Sequence, residues 1–144
     1  MAETQNYRNH VRKPPLGFVL GALVLLVNIL WSGYRLVGDV STSSVITFLV
    51  SVALLAVAVV SRQQTLTVQN RVIRLEQRLR FQQLLPADNA SRASALPIGQ
   101  IVALRFASDT ELPVLVNQVL ASQLSDPKAI KQKVKDWQSD FLRA

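Results

Sequence analysis

Residues 44–60 read SVITFLVSVALLAVAVV, and this stretch decides the fold class of the chain. It lies within a run of 22 uncharged positions between Asp39 and Arg62. A helix needs about 20 apolar residues to cross the hydrocarbon core of a bilayer, which is about 30 Å thick. The stretch therefore predicts a membrane-spanning helix over about 44–60.

A second uncharged run precedes it, with no charged residue for 21 positions between Lys13 and Arg35. Its apolar part predicts a first span over about 16–34. A buried hairpin of a soluble protein and a cleavable signal peptide are the competing interpretations. Two uncharged runs of this length are rare in soluble cores, and the first run exceeds the apolar region of a typical signal peptide. We therefore expect a retained transmembrane hairpin over 16–61.

The charge of the chain is concentrated beside the predicted spans. The net charge of +7 comes from 16 Lys and Arg against 9 Asp and Glu. The segment 1–15 carries +2 and the segment 62–80 carries +4, whereas 81–144 carries only +1. The loop between the spans is neutral, so the excess of Lys and Arg predicts that both termini are cytoplasmic. A nucleic-acid module would carry its charge on the distal part of the chain, so we expect membrane lipids and no nucleic acid as partners.

Two features inside the spans are candidates for helix packing. Gly17 and Gly21 form a Gly-x-x-x-Gly pair, which lets helix backbones approach closely; two isolated small residues are the simpler interpretation. Asn28 places an amide deep in the first span. Because a buried amide seeks a hydrogen-bond partner, we expect it to bond Ser51 on the second span or Asn28 of another copy.

Residues 62–85 predict a basic juxtamembrane helix that continues the second span. Six residues alternate by three and four positions, as the a and d positions of a heptad do: Thr65, Val68, Val72, Leu75, Leu79 and Gln82. A short coiled coil and a helix packed on its own domain both fit this pattern. Beside it runs a strip of Arg71, Arg74 and Arg78, which is either a solvated face or a contact with anionic lipid headgroups. We also expect Glu76 to pair with Arg80.

The remaining chain predicts a linker over 86–96 and a small cytoplasmic helical domain over 97–144. Arg105 is expected to pair with Asp109 or Glu111, and residues 108–111 have the form of a capping box. Asp126 followed by Pro127 is a helix start signal. The helix that it opens is predicted to place Ile130, Val134 and Trp137 on one face, and the whole chain is predicted to be all-α.

The residue types present exclude several chemistries. The chain has no cysteine and one histidine, His10. Thiolate nucleophiles, Cys-based zinc sites and a His-activated serine in the distal half are therefore excluded, and we expect no cofactor and no metal. No phosphate-loop or dinucleotide fingerprint occurs. We do not expect an enzyme, and an unrecognised carboxylate site is the one catalytic alternative.

Three stretches of the chain resemble a known family. The stretches 71–80 (RVIRLEQRLR), 100–113 (QIVALRFASDTELP) and 128–143 together are similar to a bacterial family of small two-span membrane proteins catalogued as a domain of unknown function. The resemblance covers nearly the whole chain. It implies the same architecture and a bacterial source, hence an inner membrane, and it implies no activity.

We therefore expect an inner-membrane interaction or scaffold protein that binds a protein partner or a second copy through its cytoplasmic helices. The alternative is a lipid-sensing or small-solute module that uses the Arg strip and Asn28.

Overall fold

A computed structural model of the chain describes residues 6–7 and 14–139. The predicted all-α fold is confirmed: the described residues form six helices and no strand. The helices are α1 (Leu16–Gly38), α2 (Thr42–Leu84), α3 (Ala87–Ser94), α4 (Ile98–Leu104), α5 (Leu112–Leu120) and α6 (Pro127–Lys133). The N-terminal residues Arg8, His10, Arg12 and Lys13 and the last five positions lie outside the described residues.

The chain divides into two compact units. One unit is the described part of 13–66, called the hairpin unit below, and the other is 67–139 with residues 6–7, called the head. Helix α2 is continuous over 43 residues and belongs to both units. The head therefore begins inside the predicted juxtamembrane helix, before the expected domain start at residue 97.

The hairpin unit contains α1 and the apolar part of α2. Both helices are long and apolar enough to cross a membrane, judged by length and composition. Helix α1 begins after Pro15, whose ring prevents the preceding turn from being helical. Ser41 opens α2, since its hydroxyl accepts a hydrogen bond from the Ser44 N–H at 3.3 Å. These local signals account for the start of each helix.

The head is built around a core that four helices and the end of α2 share. Helix α4 packs on α5 and α6, and α3 packs on α5. Gly99 permits the close approach of α6, because a Cβ atom there would lie 3.2 Å from Cγ of Pro127. The fully buried large side chains are Phe81, Ile101, Leu104, Phe106, Leu112, Val116 and Ile130. Burial of these side chains is the main favourable contribution to the stability of the head.

The segment 86–96, expected as a linker, contains α3. Ala90 and Ala93 of this helix are buried in the core, and Asn89 donates a hydrogen bond to the Asn117 side chain on α5 at 3.0 Å. Small residues resemble a linker in composition, but alanine is the strongest helix former and allows close helix packing. The composition therefore misled the prediction, and the segment is part of the folded head.

The last helix is shorter than expected. Helix α6 ends at Lys133, Val134 is extended, and Trp137 forms an isolated antiparallel bridge with Ala107. The ring of Trp137 lies 4.8 Å from that of Phe106, between centroids. Ile130 and Val134 are both buried, but the extended chain rather than a helix brings Trp137 to the core. A continued helix would not allow Trp137 to pack on Phe106 in this way, so α6 ends at Lys133.

The helix start signal at Asp126 and Pro127 behaves as predicted. The Asp126 carboxylate accepts a hydrogen bond from the Ala129 N–H at 3.3 Å, and Pro127 is the first residue of α6. Pro113 lies in the first turn of α5, where its missing N–H costs no helical hydrogen bond.

Ser122, after the end of α5, has a positive φ of 59°. This conformation costs a residue with a Cβ atom about 1–2 kcal/mol, whereas the extra freedom of glycine in the unfolded chain costs about 0.4–1 kcal/mol. We expect Ser122→Gly to raise the free energy of unfolding of the head by about 0.5–1 kcal/mol. Urea unfolding in mild detergent checks this through Trp137 fluorescence in a Trp31→Phe background. Ser122→Ala is the control and should give no gain; an equal gain for both variants would contradict the explanation.

Candidate interaction surface

The part of α2 inside the head has two apolar sides that lie nearly opposite each other, at about 100° per residue. One side, called the core face, is covered by the head and contains Ile73, Gln77 and Phe81, which are 5%, 7% and 0% exposed. The other side, called the seam, consists of Val68, Val72, Leu75 and Leu79, which are 48–60% exposed. The helix therefore packs on its own domain and leaves the predicted a/d positions uncovered.

Arg80 connects the core face to the rest of the head through hydrogen bonds. Its Nε donates to Oδ1 of Asp109 at 2.7 Å, and Nη2 donates to the carbonyl oxygen of Ala107 at 2.6 Å. Nη1 donates to the carbonyl oxygen of Arg105, directly after α4, at 3.3 Å. A guanidinium can satisfy such carbonyls at a helix end because it carries several donors in a fixed plane. These three acceptors, brought to Arg80 by the fold, thus hold α2 in one rotation about its axis.

The expected pairing of Glu76 with Arg80 does not form, because Arg80 is committed to Asp109 and two carbonyls. Among the residues that the structure describes there are two ion pairs, Arg80–Asp109 and Arg92–Asp88. Glu76 takes part in neither and is exposed. Its carboxylate therefore stays available beside the seam.

The Arg strip lies on the opposite flank of the seam from Glu76. Arg71 and Arg78 are exposed, and Arg74 is half-buried. None of the three takes part in either ion pair of the described chain. The seam is consequently bordered by basic residues on one flank and by a single acidic residue on the other.

The acidic residues near α5 have structural roles. The Glu111 carboxylate accepts hydrogen bonds from the N–H groups of Lys135 and Asp136, both at 3.1 Å. The predicted capping box therefore does not form: Glu111 turns to the segment after α6, and Ser108 bonds the Thr110 hydroxyl instead. Across residues 6–7 and 14–139, no cluster of three or more His, Cys, Asp or Glu side chains is placed to hold a metal ion.

Arg105 does not make its expected ion pair, because Asp109 pairs with Arg80 and Glu111 bonds the backbone. Its side chain is buried, and its guanidinium carbon lies 4.7 Å from the centroid of the Phe106 ring. The planar cation can stack on an aromatic face in such a position. Arg105 therefore belongs to the interior of the head.

In the hairpin unit, the structure places Asn28 and Ser51 within hydrogen-bonding distance. The Ser51 hydroxyl lies 2.8 Å from Oδ1 of Asn28. A Cβ atom added at Gly17 or Gly21 would meet nothing within 4 Å, whereas one at Gly33 would lie 3.4 Å from the Phe48 ring. Close packing of the two helices thus occurs at Gly33. Its isolated position in the sequence did not distinguish it from the other glycines.

A polar cleft lies beside Asn28. Besides Asn28, its lining contains Ser32, Arg35, Ser44 and Thr47. The Ser32 hydroxyl donates a hydrogen bond to the Ile29 carbonyl oxygen, and the Thr47 hydroxyl donates one to the Ser43 carbonyl oxygen. Asn28, Arg35 and Asp39 are exposed polar groups in the lining of this cleft.

The role of Arg80 can be tested with Arg80→Lys, which keeps the charge and removes the planar set of donors. We expect the free energy of unfolding of the head to fall by about 1–3 kcal/mol, because carbonyl and carboxylate partners lose their donors. The measurement is urea unfolding followed by Trp137 fluorescence in the Trp31→Phe background.

The matched control is Arg92→Lys, because Arg92 and Asp88 are exposed and 4.0 Å apart. Its effect should stay within about 0.5 kcal/mol. Equal effects of the two substitutions would contradict the role assigned to Arg80.

Comparison with known proteins places this architecture in a family. A family model described as a family of unknown function, DUF6526, matches residues 1–144. No curated protein and no solved structure matches the chain. The match confirms the resemblance to a family of unknown function and covers the hairpin unit and the head alike. The chain belongs to the DUF6526 family.

Proposed function

We propose that this chain is an integral protein of a bacterial inner membrane with both termini in the cytoplasm. In this proposal its head is a non-catalytic interaction module, and the membrane lipids and a protein are its partners. The observation that carries the proposal is the seam, an uncovered apolar surface on a helix that is otherwise packed into a folded core.

Membrane insertion is supported by the exposure of the apolar helices. In each long helix, only 6% of the most apolar 18-residue stretch is buried within the protein. A core helix of a soluble protein would be mostly buried, because exposing so many apolar side chains to water is unfavourable. Leu30 is 66% exposed and Val57 is 62% exposed, as lipid-facing side chains would be.

Retention of α1 is supported by its contacts with α2. The hydrogen bond between Ser51 and Asn28 and the contact of Gly33 with Phe48 connect the two helices. In a bilayer, an amide without a partner is costly, so this bond favours keeping both helices together. Trp31 and Tyr34 are exposed near the end of α1, as residues of an interfacial aromatic belt would be.

The proposed orientation can be tested in the cysteine-free chain with two single cysteines. Val40→Cys lies between α1 and α2 and Ser91→Cys lies on α3. The positive-inside rule predicts that an impermeant maleimide labels Val40→Cys in intact spheroplasts and labels Ser91→Cys only after lysis. The reverse pattern would contradict the orientation, and labelling of neither position after lysis would contradict exposure of both sites.

An interaction role is supported by the size and chemistry of the head. The seam offers apolar side chains that a small domain has not covered, and small domains bury a limited share of their surface. Meanwhile Asp109, Glu111 and Asp126 are each engaged in structural hydrogen bonds or an ion pair. These carboxylates hold the fold together, which favours binding over catalysis.

Chemical crosslinking of the full chain in native membranes tests the interaction role. We expect a specific product heavier than the monomer whose yield falls when Leu75→Asp places a charge in the seam. Val114→Asp is the control, because Val114 is 61% exposed on a different helix. Monomer alone in native membranes would contradict the proposal.

The Arg strip and the polar cleft favour a second candidate function, that of a lipid-sensing or small-solute module. Arg71 and Arg78 are exposed on the part of α2 that follows the predicted span. A charge that reaches an anionic membrane surface gains about 1 kcal/mol. In the cleft, Asn28 and Arg35 are exposed to solutes.

The lipid part of this candidate predicts that the full chain retains anionic phospholipid during detergent purification. Changing Arg71, Arg74 and Arg78 to Gln should reduce the retained amount several-fold as measured by lipid mass spectrometry, whereas Arg92→Gln should not. Equal retention by both variants would exclude lipid recognition by the strip.

A further inference from the structure

We infer that the seam binds the seam of a second copy of this chain, forming a parallel and in-register two-stranded coiled coil. The inference rests on the proposed function and names the partner of the same surface. It follows from three observations: the spacing of the uncovered residues, the position of the head relative to them on α2, and the charges on the two flanks.

The uncovered residues occupy the a and d positions of a heptad. Val72 and Leu79 lie at a, and Val68 and Leu75 lie at d, so the spacing alternates by four and three. All four are about half exposed or more, with Leu75 at 60%. A helix that repeats apolar residues at this period buries them most completely against a like helix, by packing knobs into holes.

The head leaves room for such a partner because it covers the other side of the helix. With Val72 at a, Ile73 lies at b, Gln77 at f and Phe81 at c. These outward positions of a coiled coil are the ones buried in the head. The two packing surfaces of α2 therefore do not compete, and the same rotation of the helix serves both.

The flanking charges are self-complementary in a parallel pair. Arg71 and Arg78 lie at g, whereas Glu76 and Gln83 lie at e. In a parallel in-register dimer, a g residue faces the e residue five positions later on the partner helix. Arg71 of one copy thus faces Glu76 of the other, twice by symmetry, and Arg78 faces the amide of Gln83.

An antiparallel pair is disfavoured by the same residues. Antiparallel helices bring g beside g, so Arg71 of one copy would face Arg78 of the other with like charges. Glu76 would then meet no basic residue. Because Arg80 is held by Asp109, Glu76 has no competing partner on its own helix. Two copies inserted in a membrane with the same orientation also present parallel helices.

A photocrosslinking amino acid at position 75 of the full chain identifies the occupant of the seam in native membranes. We expect an adduct that contains two copies of this chain and no other protein. The control position is Asn70, which is exposed but lies at f, away from the seam, and should give no such adduct.

The other outcomes separate the inference from the proposed function. An adduct of position 75 with a different protein would overturn the inference and leave the interaction role standing. No protein adduct at position 75, with monomer alone, would overturn both.

Charge reversal then tests the parallel register. Glu76→Arg should weaken self-association roughly tenfold, because two attractive contacts become repulsive. The double variant Arg71→Glu with Glu76→Arg should restore it to within about threefold of the original. Energy transfer between full chains labelled at Ser91→Cys and reconstituted in neutral vesicles measures the association.

Neutral vesicles remove the contribution of anionic lipid, so this rescue distinguishes pairing between copies from lipid binding by the Arg strip. Failure of the double variant to recover association would overturn the parallel in-register arrangement. So would full association of Glu76→Arg alone.

Discussion

The fold of the head depends on one segment of α2 that carries two apolar surfaces. Residues 67–84 of α2 carry the core face and the seam on nearly opposite sides, and one short chain covers only the first. Phe81 is fully buried on the core face, where it contributes to the same core as α4 and α5. The seam is then left uncovered by geometry, because the residues that could cover it are already packed on the other side.

Arg80 connects this packing to the charge pattern around the seam. By binding Asp109 and the carbonyl oxygens after α4, it secures the core face against rotation of the helix. The same contacts withdraw Arg80 from Glu76, its expected neighbour one turn earlier on the helix. Internal folding contacts therefore determine which charges remain at the surface, and a surface pattern suited to self-pairing is the result.

Much of the architecture could be predicted from sequence because it depends on local or periodic signals. The absence of charge over long runs indicated α1 and the first part of α2. The three-four alternation located the seam, and the Asp126–Pro127 start signal located α6. Asn28 and Ser51 could be matched because few polar side chains lie deep in the two apolar runs.

The remaining features depend on contacts between distant residues. Ile73 and Phe81 could not be identified as the core face, because Gln77 between them breaks the apolar pattern. The Glu111 carboxylate does not cap α5 locally. It accepts hydrogen bonds from the N–H groups of Lys135 and Asp136, more than 20 residues later. Helix α3 was missed because a helix of only eight residues is stable only through tertiary packing, here on α5.

In this description, residues 67–84 carry one surface covered by the head and another covered by a partner. Thiol modification of single cysteines along this segment tests it directly in native membranes, since the chain has no cysteine of its own. Modification at position 77 should be slow under all native conditions. At positions 75 and 79 modification should be slow in membranes and fast after dilution in mild detergent, whereas position 70 should react fast throughout. Modification of positions 75 and 79 in membranes as fast as that of position 70 would show that no partner covers the seam.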